Sequence, residues 1–126
     1  MTGNKVVLDS NVIIDAVRKL IDIEKSIFQF NHVYISLITY IEVLGFNFKD
    51  GNEKLLTMQI LEMLEIINPD IEIADLTVEY RKLKKIKVPD AIILATARKL
   101  NAKLLTSNIT DFANIDDKVI IMEPFK

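Results

Sequence analysis

The chain has 126 residues, with 16 Lys and Arg against 18 Asp and Glu, and half of its residues are hydrophobic. This length and composition are typical of one folded domain, which we expect to span residues 1–126. The absence of cysteine excludes disulfides, thiolate nucleophiles and sulfur-ligated metals, and a single histidine, His32, excludes sites with several histidine ligands. Three glycines leave no phosphate-binding glycine loop, and a net charge of −2 argues against a general nucleic-acid coat.

The absence of cysteine is compatible with the cytoplasmic location that we expect, and the hydropathy pattern predicts no membrane segment. No apolar stretch approaches the roughly 20 residues that a membrane helix needs. The stretch Met1–Lys5 leads directly into Val6-Val7-Leu8, without the apolar core and small-residue cleavage site of a secretory signal. The chemistry that these exclusions leave is mostly that of carboxylates.

Apolar residues in the first half of the chain recur at strand and helix spacing, with no linker or repeat. The predicted elements are a strand over Val6–Asp9, a helix marked by Ile13, Ala16, Val17 and Leu20, a helical pattern at Ile23, Ile27 and Phe30, and a strand over Val33–Ile35. Ser10 or Asn11 is expected to cap the first helix, and Ser36 the helix that continues to about Phe46. Asp50-Gly51-Asn52 is typical of a turn.

The second half continues the alternation of helices and short strands. The predicted elements are a helix marked by Leu56, Ile60, Met63, Leu64 and Ile67, a helical stripe at Ile73, Leu76, Tyr80 and Leu83, a helix from Pro89 to Leu100, and strands over Lys103–Thr106 and Lys118–Met122. Asn68-Pro69 ends either the first of these helices or a strand at its end. Proline suits a first helical position, and Asn101 suits a left-handed cap at the end. The helix from Pro89 is apolar nearly all round and should be buried. This order predicts an α/β sandwich with a mostly parallel central sheet flanked by helices.

Four acidic residues stand where an acid is unusual. Asp9 ends a buried strand, Glu42 has apolar helical neighbours, Asp90 opens the buried helix, and Asp111 follows the strand Lys103–Thr106. Each also has a simpler interpretation, as a helix cap or as a charge favoured by a helix dipole. The other acids that we considered fall on polar faces or turns; they are Asp15, Asp22, Glu24, Asp50, Glu53, Glu72, Asp116 and Asp117.

A shared position at one edge of the sheet would turn these acids into a metal site. Ligand sites in parallel α/β sheets form at the carboxyl ends of the strands, where Asp9 and Asp111 are expected. Several carboxylates within about 4–6 Å repel one another, and few cationic side chains are close in sequence to offset them. Oxygen ligands without His or Cys favour Mg²⁺ or Mn²⁺. Such a centre activates water and neutralises a phosphodiester.

Four segments that carry these acids resemble, in the same order, PIN-domain ribonucleases, and most closely VapC-type toxins of type II toxin–antitoxin pairs. The segments are Val7–Ile14, Ile41–Val43, Pro89–Ala97 and Leu105–Phe112. The resemblance implies a PIN-like α/β/α sandwich. It also implies a Mg²⁺- or Mn²⁺-dependent endoribonuclease that works with one or two ions.

The resemblance further implies roles for individual residues. Asp9, Glu42, Asp90 and Asp111 would hold the metal and activate water. The side chains that would support these carboxylates are Asn11, Thr106, Asn108 and Ser10. Many members of the resembling family have Asp at position 108, so Asn here implies a weaker second metal site. The resemblance also implies a homodimer and a small antitoxin partner.

A basic cluster directly precedes Asp90 in the sequence. Its members are Arg81, Lys82, Lys84, Lys85 and Lys87. The cluster is either a solvated helix face or a binding surface for RNA phosphates. Base stacking is open to Tyr34, Tyr40 and Phe46–Phe48, with core packing favoured for Phe46, and His32 is expected at the surface or at an edge.

Two other functions remain open at this point. The first is a PIN module without catalytic activity that binds a protein or RNA partner. The second is a receiver-type phospho-acceptor domain, which also places acids at strand ends. Receiver domains have adjacent acids after the first strand and a lysine after the last, whereas here Asp9 has no acidic neighbour and Met122-Glu123-Pro124 ends the last strand.

Overall fold

The computed structural model describes residues 4–126 as a five-stranded sheet flanked by helices. The strands are β1 (Lys5–Leu8), β2 (His32–Ser36), β3 (Glu65–Ile67), β4 (Lys103–Leu105) and β5 (Ile121–Met122). The helices are α1 (Ser10–Val17), α2 (Ile23–Ser26), α3 (Leu37–Leu44), α4 (Gly51–Glu62), α5 (Ile71–Leu83), α6 (Val88–Leu100) and α7 (Ile109–Phe112). The parts of the domain and signal predictions that concern residues 1–3 lie outside the described residues. Within residues 4–126, no helix is both long and apolar enough to span a membrane.

The sheet has the strand order β3-β2-β1-β4-β5, and every neighbouring pair is parallel. This confirms the predicted α/β sandwich, with a sheet that is wholly rather than mostly parallel. The chain builds outward from β1 on one side through β2 and β3, and then on the other through β4 and β5. The order therefore reverses between β1 and β4, and in such sheets the crevice at that point is where ligands bind.

Alternating residues of β1 divide the core between the two faces of the sheet. Val6 and Leu8 are fully buried against α1, α3 and α4, together with Ile35 and Leu105. Val7 is fully buried on the opposite face, among the apolar residues of α5 and α6. The buried side chains that α6 contributes are Ala91, Ile93, Leu94, Ala95, Thr96 and Ala97, which confirms that this helix is buried.

The helix ends follow the sequence signals in most places. Ser36 caps α3, accepting a hydrogen bond from the N–H of Ile38 at 3.2 Å. Asn101 ends α6 in the left-handed conformation, with a φ of 53°. Pro89 is the second residue of α6 rather than the first. The expected cap of α1 by Ser10 or Asn11 is wrong, because the extended Asp9 occupies the cap position.

The segment around α4 departs from the sequence prediction at both ends. Asp50 accepts a hydrogen bond from the N–H of Glu53 at 2.8 Å, so the expected turn over 50–52 is the start of α4. At the other end, Ile67 belongs to β3, where it pairs with Ser36 of β2, and not to the helix. The apolar residues keep the helical spacing across the change from α4 to β3, so the spacing alone does not reveal where the helix ends.

Two further predicted elements are shorter than expected. The helical pattern from Ile23 to Phe30 forms only the single turn of α2. The last strand contains Ile121 and Met122 alone, because Val119 instead closes a turn by donating its N–H to the carbonyl of Asp116.

Asp116, predicted in a turn or on a polar face, is the buried centre of a polar network. Its carboxylate accepts hydrogen bonds from the Tyr80 hydroxyl and from Arg98 Nη1, the latter at 2.8 and 3.0 Å. Burial alone would raise the pKa of Asp116, but the bonds from Tyr80 and Arg98 outweigh it and lower that pKa. The network fastens α5 and α6 to the segment before β5. A second ion pair, Lys99 with Asp70, joins the end of α6 to the start of α5, so the two helices run antiparallel.

Candidate metal centre

Asp9 lies at the carboxyl end of β1, where the strand passes into α1, and only 6% of its surface is exposed. Its Oδ1 accepts a hydrogen bond from the N–H of Ser10 at 2.8 Å. Its Oδ2 accepts from Thr106 Oγ1 at 2.8 Å and from Asn11 Nδ2 at 3.3 Å. The cap interpretation is therefore correct for Asp9, but the second oxygen lies among side chains from elsewhere in the chain.

Burial raises the pKa of Asp9. The hydrogen bonds from Thr106 and Ser10 oppose this rise, and the charges of Glu42 and Asp111 add to it. The pKa of Asp9 is raised overall, because the hydrogen bonds do not fully compensate for the hydration that this carboxylate loses on burial.

Thr106 follows β4 beside Asp9 because β1 and β4 are parallel neighbours, with Leu8 paired to Leu105. Its fully buried hydroxyl donates to Asp9 and accepts from the backbone N–H of Asn108 at 3.0 Å. The Asn108 side chain is exposed at the start of α7. Thr106 thus couples the position of Asp9 to that of the loop leading to Asp111.

Glu42 projects from α3, and its Oε1 accepts a hydrogen bond from Ser10 Oγ at 2.6 Å. Ser10 therefore contacts Asp9 through its backbone and Glu42 through its side chain. The expectation that Glu42 lies in a costly apolar environment is wrong, because the residue is exposed. Of the helical neighbours behind that expectation, Phe46 is 36% exposed and Ile38 is only partly buried.

Asp90 lies in the first turn of α6 and is half-buried. Burial, followed by the negative charges of Asp9, Asp111 and Glu42, raises its pKa from the usual 3.8 to about 6. Lys87 is the cationic neighbour that opposes the rise. Asp111 is exposed on α7. Asp90 thus lies within range of the charges of the other three predicted carboxylates.

The donor atoms of this group suit a hard divalent cation. Every charged candidate is a carboxylate, and the neighbouring polar groups are hydroxyls and an amide, which favour Mg²⁺ or Mn²⁺ over zinc. Among residues 4–126, no three acidic, His or Cys side chains already stand in an arrangement that could hold an ion. Metal binding would therefore need the exposed carboxylates to turn inward toward Asp9 and Asp90.

The basic cluster occupies the end of α5 and the loop to α6, and all five of its members are exposed. Arg81 Nη1 donates to the carbonyl of Ile86 at 3.1 Å, which holds the loop against the helix. Lys84 Nζ donates to the carbonyl of Ala113, directly after α7, at 3.0 Å. The cluster therefore lies beside the helices that carry Asp90 and Asp111.

Tyr34, Tyr40 and Phe46, the aromatic candidates for base stacking, contact other parts of the protein. Tyr34 is buried, with its ring stacked on His32 at a centroid distance of 6.3 Å. His32 itself is exposed at the start of β2, as expected. Tyr40 packs partly buried against the core. The prediction that Phe46 packs in the core is wrong, because its ring is exposed and the guanidinium carbon of Arg18 lies 5.1 Å from the ring centroid.

Asp15 and Ser107 extend the polar network and were not singled out from the sequence. The N–H of Ser107 donates to Asn11 Oδ1 at 3.3 Å, and its hydroxyl donates to Asp15 Oδ2 at 3.4 Å. Asn11 and Asp15 are four residues apart on α1 and so share a face of that helix. This spacing is the signal that could have linked Asp15 to the site.

Comparison with known proteins identifies the family. The model of the PIN domain matches residues 6–118. No curated protein sequence matches the chain. A toxin–antitoxin complex from Klebsiella pneumoniae contains a chain that is 33% identical, with a TM-score of 0.72 and coverage of 91% of this chain and 95% of that one.

Two further solved structures share the fold at lower identity. VapBC2 from Rickettsia felis, bound to a promoter DNA fragment, is 24% identical with a TM-score of 0.76, covering 94% and 98% of the two chains. DNA-bound VapBC from Salmonella typhimurium is 22% identical with a TM-score of 0.73, covering 94% and 97%. Since the family model spans most of the chain, and the four acids occur in the predicted order within it, this chain belongs to the PIN domain family.

Proposed function

We propose that this protein is a Mg²⁺- or Mn²⁺-dependent endoribonuclease and the toxin of a toxin–antitoxin pair. The observation that carries the proposal is the position of Asp90, which is half-buried in the first turn of α6 within range of three other carboxylates, with Lys87 as the opposing cation. Such an arrangement is unfavourable in itself and becomes favourable when a cation joins it. Perturbed carboxylates of this kind are characteristic of functional sites.

Asp9, Glu42, Asp90 and Asp111 would hold the cation, with Asp9 as the fixed ligand. Thr106 and Asn11 hold the Asp9 carboxylate in one orientation, and Ser10 directs Glu42 toward it. A bound Mg²⁺ or Mn²⁺ would activate water and neutralise charge on the phosphodiester. We assign Asn108 a neutral supporting role, so a second ion would bind more weakly than the first.

The basic cluster supports a polyanionic substrate. Its exposed cations lie beside the helices that carry Asp90 and Asp111, so a nucleic-acid strand bound there would pass the carboxylates. The acids would otherwise repel such a strand. We infer that Arg81, Lys82, Lys84, Lys85 and Lys87 bind RNA phosphates.

Exposed apolar side chains support binding to other proteins. Leu55 and Met58 on α4 are 54% and 45% exposed, and Val78 on α5 is 51% exposed. Surfaces of this kind commonly mark interfaces. The matching solved structures are toxin–antitoxin complexes. We therefore propose a small antitoxin partner, a homodimer, and action on cytoplasmic RNA.

The test is cleavage of a pool of structured RNAs by the purified protein with Mn²⁺ or Mg²⁺. We expect cleavage that EDTA abolishes and that Asp9→Asn and Asp90→Asn each reduce at least a hundredfold. Asp75→Asn, the same change at an exposed position on α5, should cleave normally. Full activity in EDTA would contradict the metal mechanism, and a folded wild type that cleaves no RNA would favour the non-catalytic binding module instead.

A further inference from the structure

A cavity of about 440 Å³, here called the side cavity, opens beside the carboxylate group. Its polar lining residues are Asp15, Ser107, Glu123 and Lys126. Its apolar lining residues are Leu20, Ile21 and Pro124. Ser107 and Glu123 stand just after β4 and β5, so this part of the side cavity lies at the same edge of the sheet as Asp9, whereas Leu20 and Ile21 follow α1. Its volume is within the range of small-molecule sites.

Hydrogen bonds connect the side cavity to the candidate metal centre. Asn11 donates to Asp9 and accepts from the N–H of Ser107, and the Ser107 hydroxyl reaches Asp15. Asn11 thus hydrogen-bonds both to Asp9 and to Ser107, a residue that lines the cavity. A nucleotide with its phosphate at the carboxylates would have its base within reach of this cavity.

Hydrogen bonds to α2 and its cap residue fix the cavity wall formed by residues 123–126. Phe125 donates its N–H to Ser26 Oγ at 2.8 Å, and its carbonyl accepts from the N–H of Asp22 at 2.7 Å. These bonds fix the segment that carries Glu123 and Lys126 against α2. The cavity is therefore shaped before any ligand binds, which lowers the entropic cost of binding.

We propose that the side cavity binds the base of the nucleotide next to the cleaved phosphodiester and prefers guanine to uracil. This inference rests on the proposed function and adds a source of sequence selectivity to it. Flat bases are bound between apolar surfaces and read by polar groups at their edges. Leu20, Ile21 and Pro124 supply the surfaces, and the polar lining residues supply the groups.

The preference for guanine follows from the excess of acceptors in the lining. A carboxylate from Asp15 or Glu123 can accept two parallel hydrogen bonds from the N1–H and N2–H₂ groups of guanine. Lys126 can donate to the guanine O6. Uracil presents one N–H between two carbonyl oxygens, which the carboxylates would repel. A bidentate pair of this kind discriminates between bases by roughly tenfold to a hundredfold.

The test is titration of the full chain with 5′-GMP and 5′-UMP in Mg²⁺ buffer, followed by backbone amide NMR. We expect GMP to bind at least about tenfold more tightly and to shift the amides of Ser107 and Glu123. Asp15→Asn and Glu123→Gln should each reduce GMP affinity toward that of UMP. Glu62→Gln removes the same charge at an exposed position on α4 and should change the affinity for neither GMP nor UMP. The amide spectra of the variants also report whether they are folded.

The outcomes separate this inference from the proposed function. Equal affinities for the two nucleotides, or GMP binding that survives both substitutions, would overturn the inference even if RNA is cleaved. A guanine preference that both substitutions remove, in a protein that cleaves no RNA, would support the cavity and refute the ribonuclease. Cleavage beside guanine that Asp15→Asn makes unselective would support both.

Discussion

Replacing Asp90 with asparagine should stabilise the metal-free protein at neutral and alkaline pH. The folded structure raises the pKa of Asp90 from 3.8 to about 6, so its charged form is disfavoured by folding. The sign follows from linkage: the wild type is most stable, with respect to this group, below pH 3.8 and loses that stability as the pH rises through 6. Asparagine removes the charge and with it this dependence. The raised pKa of Asp9 acts in the same direction.

The size of the effect follows from the difference between 3.8 and about 6. At roughly 1.4 kcal/mol per pKa unit, a fully buried group would contribute about 3 kcal/mol. Asp90 is only half-buried, and solvent screens its interactions with the exposed Glu42 and Asp111. We therefore expect Asp90→Asn to raise the free energy of unfolding by about 1–2 kcal/mol at pH 8, and by roughly half as much at pH 5.

The assay is urea unfolding in EDTA at pH 5 and pH 8, with Asp75→Asn as the control on the surface of α5. Adding Mn²⁺ at pH 8 should reverse the order, because the wild type gains a ligand that the variant holds poorly. A variant less stable than the wild type in EDTA at pH 8, or a difference that does not change between the two pH values, would refute the reasoning.

Three other predictions concern separate contacts. Thr106→Val leaves one oxygen of Asp9 without its hydroxyl donor, so the free energy of unfolding should fall by about 1–2 kcal/mol. RNA cleavage should fall at least tenfold, and unchanged cleavage would show that Thr106 does not orient Asp9. Tyr80→Phe removes a hydrogen-bond donor to the carboxylate of Asp116, so urea unfolding should show a free energy of unfolding lower by about 1–2 kcal/mol, with RNA cleavage unchanged. An unchanged urea midpoint would show that this hydrogen bond does not stabilise the fold. Neutralising Lys84 and Lys85 together to glutamine should lower the slope of log affinity for single-stranded RNA against log salt by roughly 1.4, whereas an unchanged slope would place the phosphates elsewhere.

Local signals predicted the parts of this fold that local chemistry decides. Ser36 before an apolar run and Asn101 after one are recognisable helix ends, and both occupy the predicted positions. Asp9 could be placed at a strand end because a buried apolar run precedes it directly. The parallel arrangement then predicted acids at the carboxyl ends of strands, but the sequence did not show that β1 and β4 are neighbours, which is what brings Asp9 and Thr106 together.

Tertiary partners decided the features that local signals did not predict. Asp116 stands in an acidic, turn-like segment, and only Tyr80, 36 positions away, and Arg98 make it a buried network centre. Ile67 was assigned to the helix because Leu64 and Ile67 continue the helical spacing, while pairing with β2 makes it part of β3. Glu42 was placed in an apolar environment because Ile38 and Phe46 lie one helical turn away, and the sequence does not show that Phe46 is exposed.

Anomalous diffraction from crystals of the wild type grown with Mn²⁺ would locate the metal directly. We expect a strong peak in contact with the carboxylates of Asp9 and Asp90, with Glu42 or Asp111 turned toward it. Crystals of Asp90→Asn grown in the same way should lose most of that peak. A wild-type crystal that binds Mn²⁺ elsewhere and leaves these carboxylates without it, from a preparation that cleaves RNA, would show that the four acids do not form the metal site.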